Sequence, residues 1–288
     1  RLVGLRAVSA GTVAFFKRSG ESRSMSRRQR IDRMDLRQQL AAGASPIGSW
    51  VSLGSPAAAE VVGGLEFDFV VVDTEHTPLS IESVESLVRA VDTSGQTDTV
   101  VRVPENDETE IKRALDLGAA GVMAPQVESA AEAEELVAAT RYPPDGIRGI
   151  AGSRANGYGK NIGPYFEAAN DEVAVLPQVE TATGLTNVAE VAAVDGVDAL
   201  FVGPADLSAD LGCFGEYDAP EFESAVDRVL AAGDHAGIPV GTLATSPDQI
   251  SMWDEWGMDF LIVGTDVGYL RQGAAEAKER YEELQHGE

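Results

Sequence analysis

VAVLPQVETATGLTNVAEVAAVDGVDALFVGPADLSADLG, residues 173–212, reads as one complete strand–helix–strand unit. VAVLPQVE (173–180) and DALFVGPAD (198–206) are short, nearly continuous apolar runs, the pattern of parallel strands covered on both faces. Each run ends on a carboxylate, Glu180 in the first and Asp206 in the second. An acidic side chain at the mouth of a buried strand costs free energy unless its charge is used. Two such oxygens on successive strands of a rigid scaffold suit a hard divalent cation. The competing reading makes both residues N-caps of the helices that follow; Asp does this well and Glu poorly.

The same alternation runs outward in both directions. PIGSWVSL (46–53), FDFVVVDTE (67–75), DTVVRVP (98–104) and AGVMAPQV (120–127) precede the unit, and IPVGTLA (238–244) and DFLIVGTD (259–266) follow it. Helical patterns lie between them, among them ETEIKRALDLG, SAAEAEELVAATR and APEFESAVDRVLAAGDHAG, several ending in Gly. Eight strands alternating with helices over about 250 residues predict a single-domain α/β fold, a (β/α)₈ TIM barrel. A doubly wound open sheet is the runner-up, but no GxGxxG follows the first strand. The longest connection, residues 142–172, is rich in Pro, Gly and Tyr, and its composition predicts a lid or an intersubunit loop.

The polar residues support closure into a barrel. Trp50 and Ser52, Asp73 with Glu75 and His76, Arg102, Gln126, Gln178 with Glu180, Asp206, Thr242 and Asp266 all fall at or just after C-terminal strand ends. Barrel enzymes build their sites on that face. His235 and His286 lie near a helix end and at the tail, and read as ordinary surface residues.

Bulk properties exclude several classes. The 288 residues carry 47 Asp and Glu against 22 Lys and Arg, a formal net charge of −25, which repels nucleic acid and anionic lipid. A hydrophobic content of 44% argues against disorder. Self-repulsion this strong is tolerable where salt screens it, so the composition predicts a halophilic protein of a salt-rich cytoplasm, with a merely acidic mesophilic protein as the alternative. The single cysteine, Cys213, rules out an intrachain disulfide and a thiolate zinc cluster. No apolar run has the length of a membrane span. Residues 1–34 are basic, do not resemble a secretory signal, and are expected to be a disordered or non-native extension of a barrel domain spanning 35–288.

DTEHTPLS, VRVPENDETEIKRALDLGAAGVMAPQVESAAEAEELVAATRYPPDGIRG and the QVE…GPADLSADLG pair, taken in order, resemble the HpcH/HpaI aldolase family from about residue 38 to 270. The resemblance implies a divalent-metal pyruvate aldolase that reversibly cleaves a 4-hydroxy-2-oxo acid to pyruvate and an aldehyde. It implies Glu180 and Asp206 as ligands of Mg²⁺, Mn²⁺ or Co²⁺, and Arg102 as the cation on the pyruvate ketone oxygen and the enolate. A fixed cation beside a developing oxyanion acts most in the transition state. His76 corresponds to the family's acid–base histidine, and imidazole titrates near neutrality. Asp73 corresponds to a site aspartate that orients this region. Asp116 corresponds to an aspartate that reaches the histidine from a neighbouring subunit. Gln178 lies near the metal, Trp50 borders the aldehyde pocket, and backbone N–H groups around Ala205 and Asp206 hold the substrate carboxylate at a helix start. A homo-oligomer, typically a hexamer, is implied as well.

Three other readings remain at this level. A malyl- or citramalyl-CoA lyase would share the barrel and the metal carboxylates, but it would want basic residues for the CoA phosphates, and this chain has few. A phosphosugar isomerase would place Gly-rich anion sites after strands seven and eight; here those stretches read GTLATSPD and VGTDVGYL. A non-catalytic binding protein would have no need of Glu180, Asp206, Arg102 and His76 together.

Overall fold

A computed structural model describes residues 34–286. The basic extension expected at 1–34 therefore lies, but for Met34, outside the described residues. The eight expected strands are all present: β1 Ile47–Val51, β2 Phe69–Asp73, β3 Asp98–Arg102, β4 Gly121–Ala124, β5 Ala174–Val179, β6 Leu200–Val202, β7 Val240–Leu243 and β8 Phe260–Thr265. They are parallel, each paired with the next, and β8 returns to β1 to close the barrel. Outside run α2 Pro56–Gly63, α3 Ile81–Asp92, α4 Glu108–Asp116, α5 Ala130–Thr140, α7 Ala182–Ala192, α9 Pro220–Ala236 and α10 Pro247–Glu255. Among the described residues no helix is long and apolar enough to cross a membrane.

Strand alternation divides the apolar residues into two cores. In β2, Val70 and Val72 face the helices, while Phe69, Val71 and Asp73 face the barrel axis. The axial core comprises Trp50, Phe69, Val71, Val100, Met123, Leu176, Phe201, Phe260 and Ile262 with smaller neighbours. A short helix, α1 Leu36–Ala41, closes the N-terminal end of the barrel by adding Leu36 and Leu40 to that core. It is capped by Asp35 and anchored by Arg37, whose Nε donates to Asp198 at 2.7 Å. At the opposite end Asp266, buried at the start of α11 (Asp266–His286), accepts from the backbone N–H groups of Ser52 and Leu53 and so ties β8 to β1.

The 142–172 segment corrects the expectation of a lid. Its second part is a helix, α6 Ile162–Glu172, preceded by a short 3₁₀ turn at Arg154–Asn156. Tyr165 of α6 meets the buried Tyr142 edge to face and Phe166 packs tilted against it, with ring centroids 6.3 and 5.1 Å apart. Arg148 is fully buried over the Tyr142 ring at 4.6 Å. The segment joins the C-terminus of α5 to the start of β5, so it lies at the end of the barrel away from the C-terminal strand ends. It does not cover the mouth of its own chain.

Candidate active site

The mouth is assembled from adjacent strands in register. Asp73 and Arg102 are direct cross-strand partners on β2 and β3, and Trp50 is on the neighbouring β1. The Arg102 guanidinium donates Nε–H to Asp73 Oδ1 at 2.9 Å, keeps Nη2 at 2.9 Å from the same oxygen as an ion pair, and lies over the Trp50 ring 4.7 Å from its centroid. Its remaining nitrogen, Nη1, is 2.8 Å from Glu75 Oε2. Arg102 is thereby held on three sides with little rotational freedom.

The turn after β2 explains how Glu75 gets there. Asp73 Oδ1 also accepts from the backbone N–H groups of Glu75 and His76, at 3.0 and 3.4 Å, an Asx-type turn that reverses the chain at once. Thr77 Oγ1 donates to the Asp73 carbonyl and Thr74 Oγ1 to the Arg102 carbonyl, each at 2.6 Å. The turn sends Glu75 inward and leaves the His76 ring 62% exposed, its Nε2 3.7 Å from Glu75 Oε1.

Glu180 follows β5 and is buried. Its Oε1 accepts from the Gln126 N–H at 2.8 Å, and Gln126 adopts a left-handed φ of 51° to aim that donor. Gly203 gives the carboxylate its space, since a Cβ there would sit 2.6 Å from Glu180 Oε2. Burial pushes the Glu180 carboxyl up to about 7; the Gln126 N–H opposes this, and the nearby Glu75 and Asp206 charges add to it. Burial likewise raises Glu75, against the pull of Arg102 and His76.

The N-cap reading of the two carboxylates does not hold. Thr181 caps α7, its side chain accepting from the Gly184 N–H, and Gly203 occupies the N-cap of α8 (Pro204–Asp210). Asp206 lies exposed in the first turn of α8, next to Ala205. Gln178 points into the barrel below Glu180, buried, with no hydrogen-bond partner for its Oε1. Among the described residues no three His, Cys, Asp or Glu side chains converge as a metal cage. A buried carboxylate with like charges around it, an exposed one beside it and an unpaired amide oxygen fit a hard cation that takes its other oxygens from water and substrate.

Asp116 is elsewhere. It ends α4, at the far end of the helix from the mouth, and accepts from Arg148 Nη2 at 3.3 Å. The structure thus gathers Trp50, Asp73, His76, Arg102, Gln178, Glu180, Ala205 and Asp206 around one mouth and leaves Asp116 outside it. Glu75 and Gln126 stand out in the sequence only as polar residues at strand ends; the turn and the backbone angle that give them partners are visible only in three dimensions. A cleft of about 490 Å³ at the other end of the barrel, lined by Met34, Asp98, Tyr165 and Glu172 among others, contains none of these residues.

A parallel (β/α)₈ barrel brings carboxylates and an arginine together at its C-terminal mouth, the face on which barrel enzymes build their sites, and comparison with known proteins gives the family. Residues 46–273 match the family described as HpcH/HpaI aldolase/citrate lyase. A protein named 5-keto-4-deoxy-D-glucarate aldolase, from Klebsiella pneumoniae, is 39% identical over 84% of this chain and 94% of its own length. An HpcH/HpaI aldolase/citrate lyase family protein from Burkholderia cenocepacia superposes with a TM-score of 0.82 at 40% identity, covering 86% of this chain and 98% of that one. An HpcH/HpaI aldolase from Desulfitobacterium hafniense gives a TM-score of 0.80 at 30% identity over 87% and 98% of the two chains. The chain belongs to the HpcH/HpaI aldolase/citrate lyase family and is a carbon–carbon lyase of the aldolase type.

Proposed function

We propose that this mouth carries out the divalent-metal-dependent, reversible cleavage of a 4-hydroxy-2-oxo acid to pyruvate and an aldehyde. The observation that carries the reading is the buried Glu180 carboxylate, held by the Gln126 N–H and by the gap at Gly203 beside Asp206, with a fixed guanidinium nearby. Glu180 and Asp206 would hold Mg²⁺, Mn²⁺ or Co²⁺, which when bound supplies Lewis-acid polarisation of the 2-oxo group. Arg102 stabilises negative charge on the enolate oxygen, and its restraint by Asp73, Glu75 and Trp50 means it need not reorganise as that charge develops. His76, exposed at the rim, moves the proton of the 4-hydroxyl. The first turn of α8, at Ala205 and Asp206, presents backbone N–H groups to the substrate carboxylate, and Gln178 and Trp50 border the pocket.

Because relatives carry the name 5-keto-4-deoxy-D-glucarate aldolase, a keto-deoxy sugar diacid is the substrate to test first. Pyruvate release should disappear after chelation, return with Mn²⁺ or Mg²⁺, and be absent at every metal concentration in Glu180→Ala and Asp206→Ala. Equal turnover by the chelated protein overturns the reading.

The functional unit is a homo-oligomer, a hexamer by family resemblance. Two observations support assembly. Asp116 closes α4 at the end away from the mouth and pairs with Arg148 of its own chain, so the role at a histidine that the family resemblance implies for it would need a second copy. Helix α11 carries Val267, Leu270, Tyr281 and Leu284 at heptad-like spacing, each 45–66% exposed, with Ala274 and Ala277 between them. The acidic composition supports a salt-rich cytoplasm as the working environment. The melting temperature should then rise on going from 0.1 to 3 M KCl, and a flat profile removes the argument.

A further inference from the structure

Arg102 is surrounded by more carboxylate than its charge requires. Asp73 alone engages two of its nitrogens, yet Glu75, itself only 13% exposed, faces the third at 2.8 Å. Burying a second carboxylate next to Asp73, with Glu180 and Asp206 close by, works against folding, and an uncharged side chain would be cheaper there. Asp73 meets His76 only through the backbone N–H, so its carboxylate is occupied by the turn and by Arg102. The carboxylate that faces the His76 ring is Glu75, through Oε1 at 3.7 Å, inside ion-pair range though too long for a hydrogen bond.

We propose that Glu75 is a positioning residue that couples the two halves of the site, holding the Arg102 guanidinium with one oxygen and facing the His76 imidazole with the other. The inference rests on the lyase reading above. Asp73 fixes the backbone of both Glu75 and His76, so a movement of the imidazole toward substrate and the placement of the guanidinium share one rigid turn. Glu75 need not touch substrate or metal for this.

Glu75→Gln separates the two jobs, because its side-chain oxygen keeps its place beside Arg102 Nη1, which Asp73 and Trp50 also restrain, while the charge facing His76 is gone. With Mn²⁺ bound, proton exchange at the pyruvate methyl group, which depends on Arg102, should stay within about threefold of wild type. Aldol cleavage, which also needs His76, should fall by about tenfold or more. Glu75→Ala should lower both. In a His76→Ala background, Glu75→Gln should have no further effect on cleavage, since residues acting as a unit are not additive. A readout independent of turnover comes from NMR of the metal-free protein. The chain has three histidines, and Glu75→Gln should move the ring signals of His76 while leaving His235 and His286 in place.

Mn²⁺ affinity should be unchanged in Glu75→Gln; a tenfold loss would make Glu75 a metal ligand and overturn the proposal. Superimposable His76 signals, or additive effects in the double variant, overturn it as well. Failure of the underlying lyase reading looks different: the wild-type protein itself would show neither metal-dependent exchange nor pyruvate release.

Discussion

At the lower end of the barrel axis Phe69 and Phe260 meet edge to face, 6.2 Å between centroids, each filling space above a glycine: a Cβ on Gly48 or Gly241 would lie 2.4 Å from a phenyl carbon. Four residues further along β2, on the same face, Asp73 grips Arg102 beside Glu75, and Glu180 is forced toward neutrality. The same alternation aims side chains at both ends, yet the lower end is close-packed and apolar and the upper end crowds charges of one sign around a single cation. The axial packing at the lower end is completed by its own atoms. The upper end is not, since the Gln178 oxygen has no partner and Glu180 faces other carboxylates. Stability is concentrated where the requirements are internal, and chemistry where something from outside must complete them.

The largest effect that would sharpen this contrast is on activity at the upper end. Arg102→Lys keeps the charge between Asp73 and Glu75 but loses the planar fork that meets both. Cleavage and pyruvate methyl exchange should both fall by about 10²–10³, the usual loss when one oriented donor to an oxyanion is removed. The melting temperature should move far less than the rate. Steady-state pyruvate release and an exchange assay on one preparation decide it, and retained exchange would remove Arg102 from the enolate.

Gly241→Ala probes the opposite end. The added methyl runs into the Phe260 ring, and overpacking of this kind costs about 1–3 kcal/mol. Thermal unfolding should register that loss while kcat per folded molecule stays within about twofold. A variant that melts normally but turns over poorly would show that the two ends are mechanically linked, and the division drawn above would fail.

How much of this is legible in the chain follows from the same physics. All eight strands can be read because each is apolar on both faces, and Glu180 and Asp206 stand out because charge at the end of such a run is costly. Helix α6 is hidden by the Gly, Pro and Asn residues that precede it, and composition over the whole 142–172 segment points to a loop. Helix α1 cannot be seen, because LRQQLA is too short to show a period. The glycine gaps at Gly48, Gly203 and Gly241 depend on which residue stands across from each, which only the register fixes. Glu75 is two residues from Asp73 in the sequence, but its aim at Arg102 follows from the Asx turn. Asp116 is the opposite case: only the family resemblance implies a partner in another subunit, and within one chain its neighbour is Arg148.

An effect of similar size on stability tests whether the strain at the mouth is electrostatic. Burial raises the Glu180 carboxyl from its ordinary 4.5 to about 7, so between those values the folded metal-free protein binds a proton that the unfolded chain has released. Its contribution is fully favourable below about pH 4.5 and is lost as pH rises through about 7. Glu180→Gln removes the charge and keeps the shape. The metal-free variant should therefore match wild type at pH 4 and be more stable than wild type at pH 8, by about 1–3 kcal/mol. Saturating Mn²⁺ should reverse the order at pH 8, because only the native carboxylate gains from the cation. Denaturation curves at the two pH values, with and without Mn²⁺, give the four numbers needed. If the variant is no more stable at pH 8 without metal, the lower and upper ends differ in packing alone, and the argument that charge is stored at the mouth for a cation is wrong.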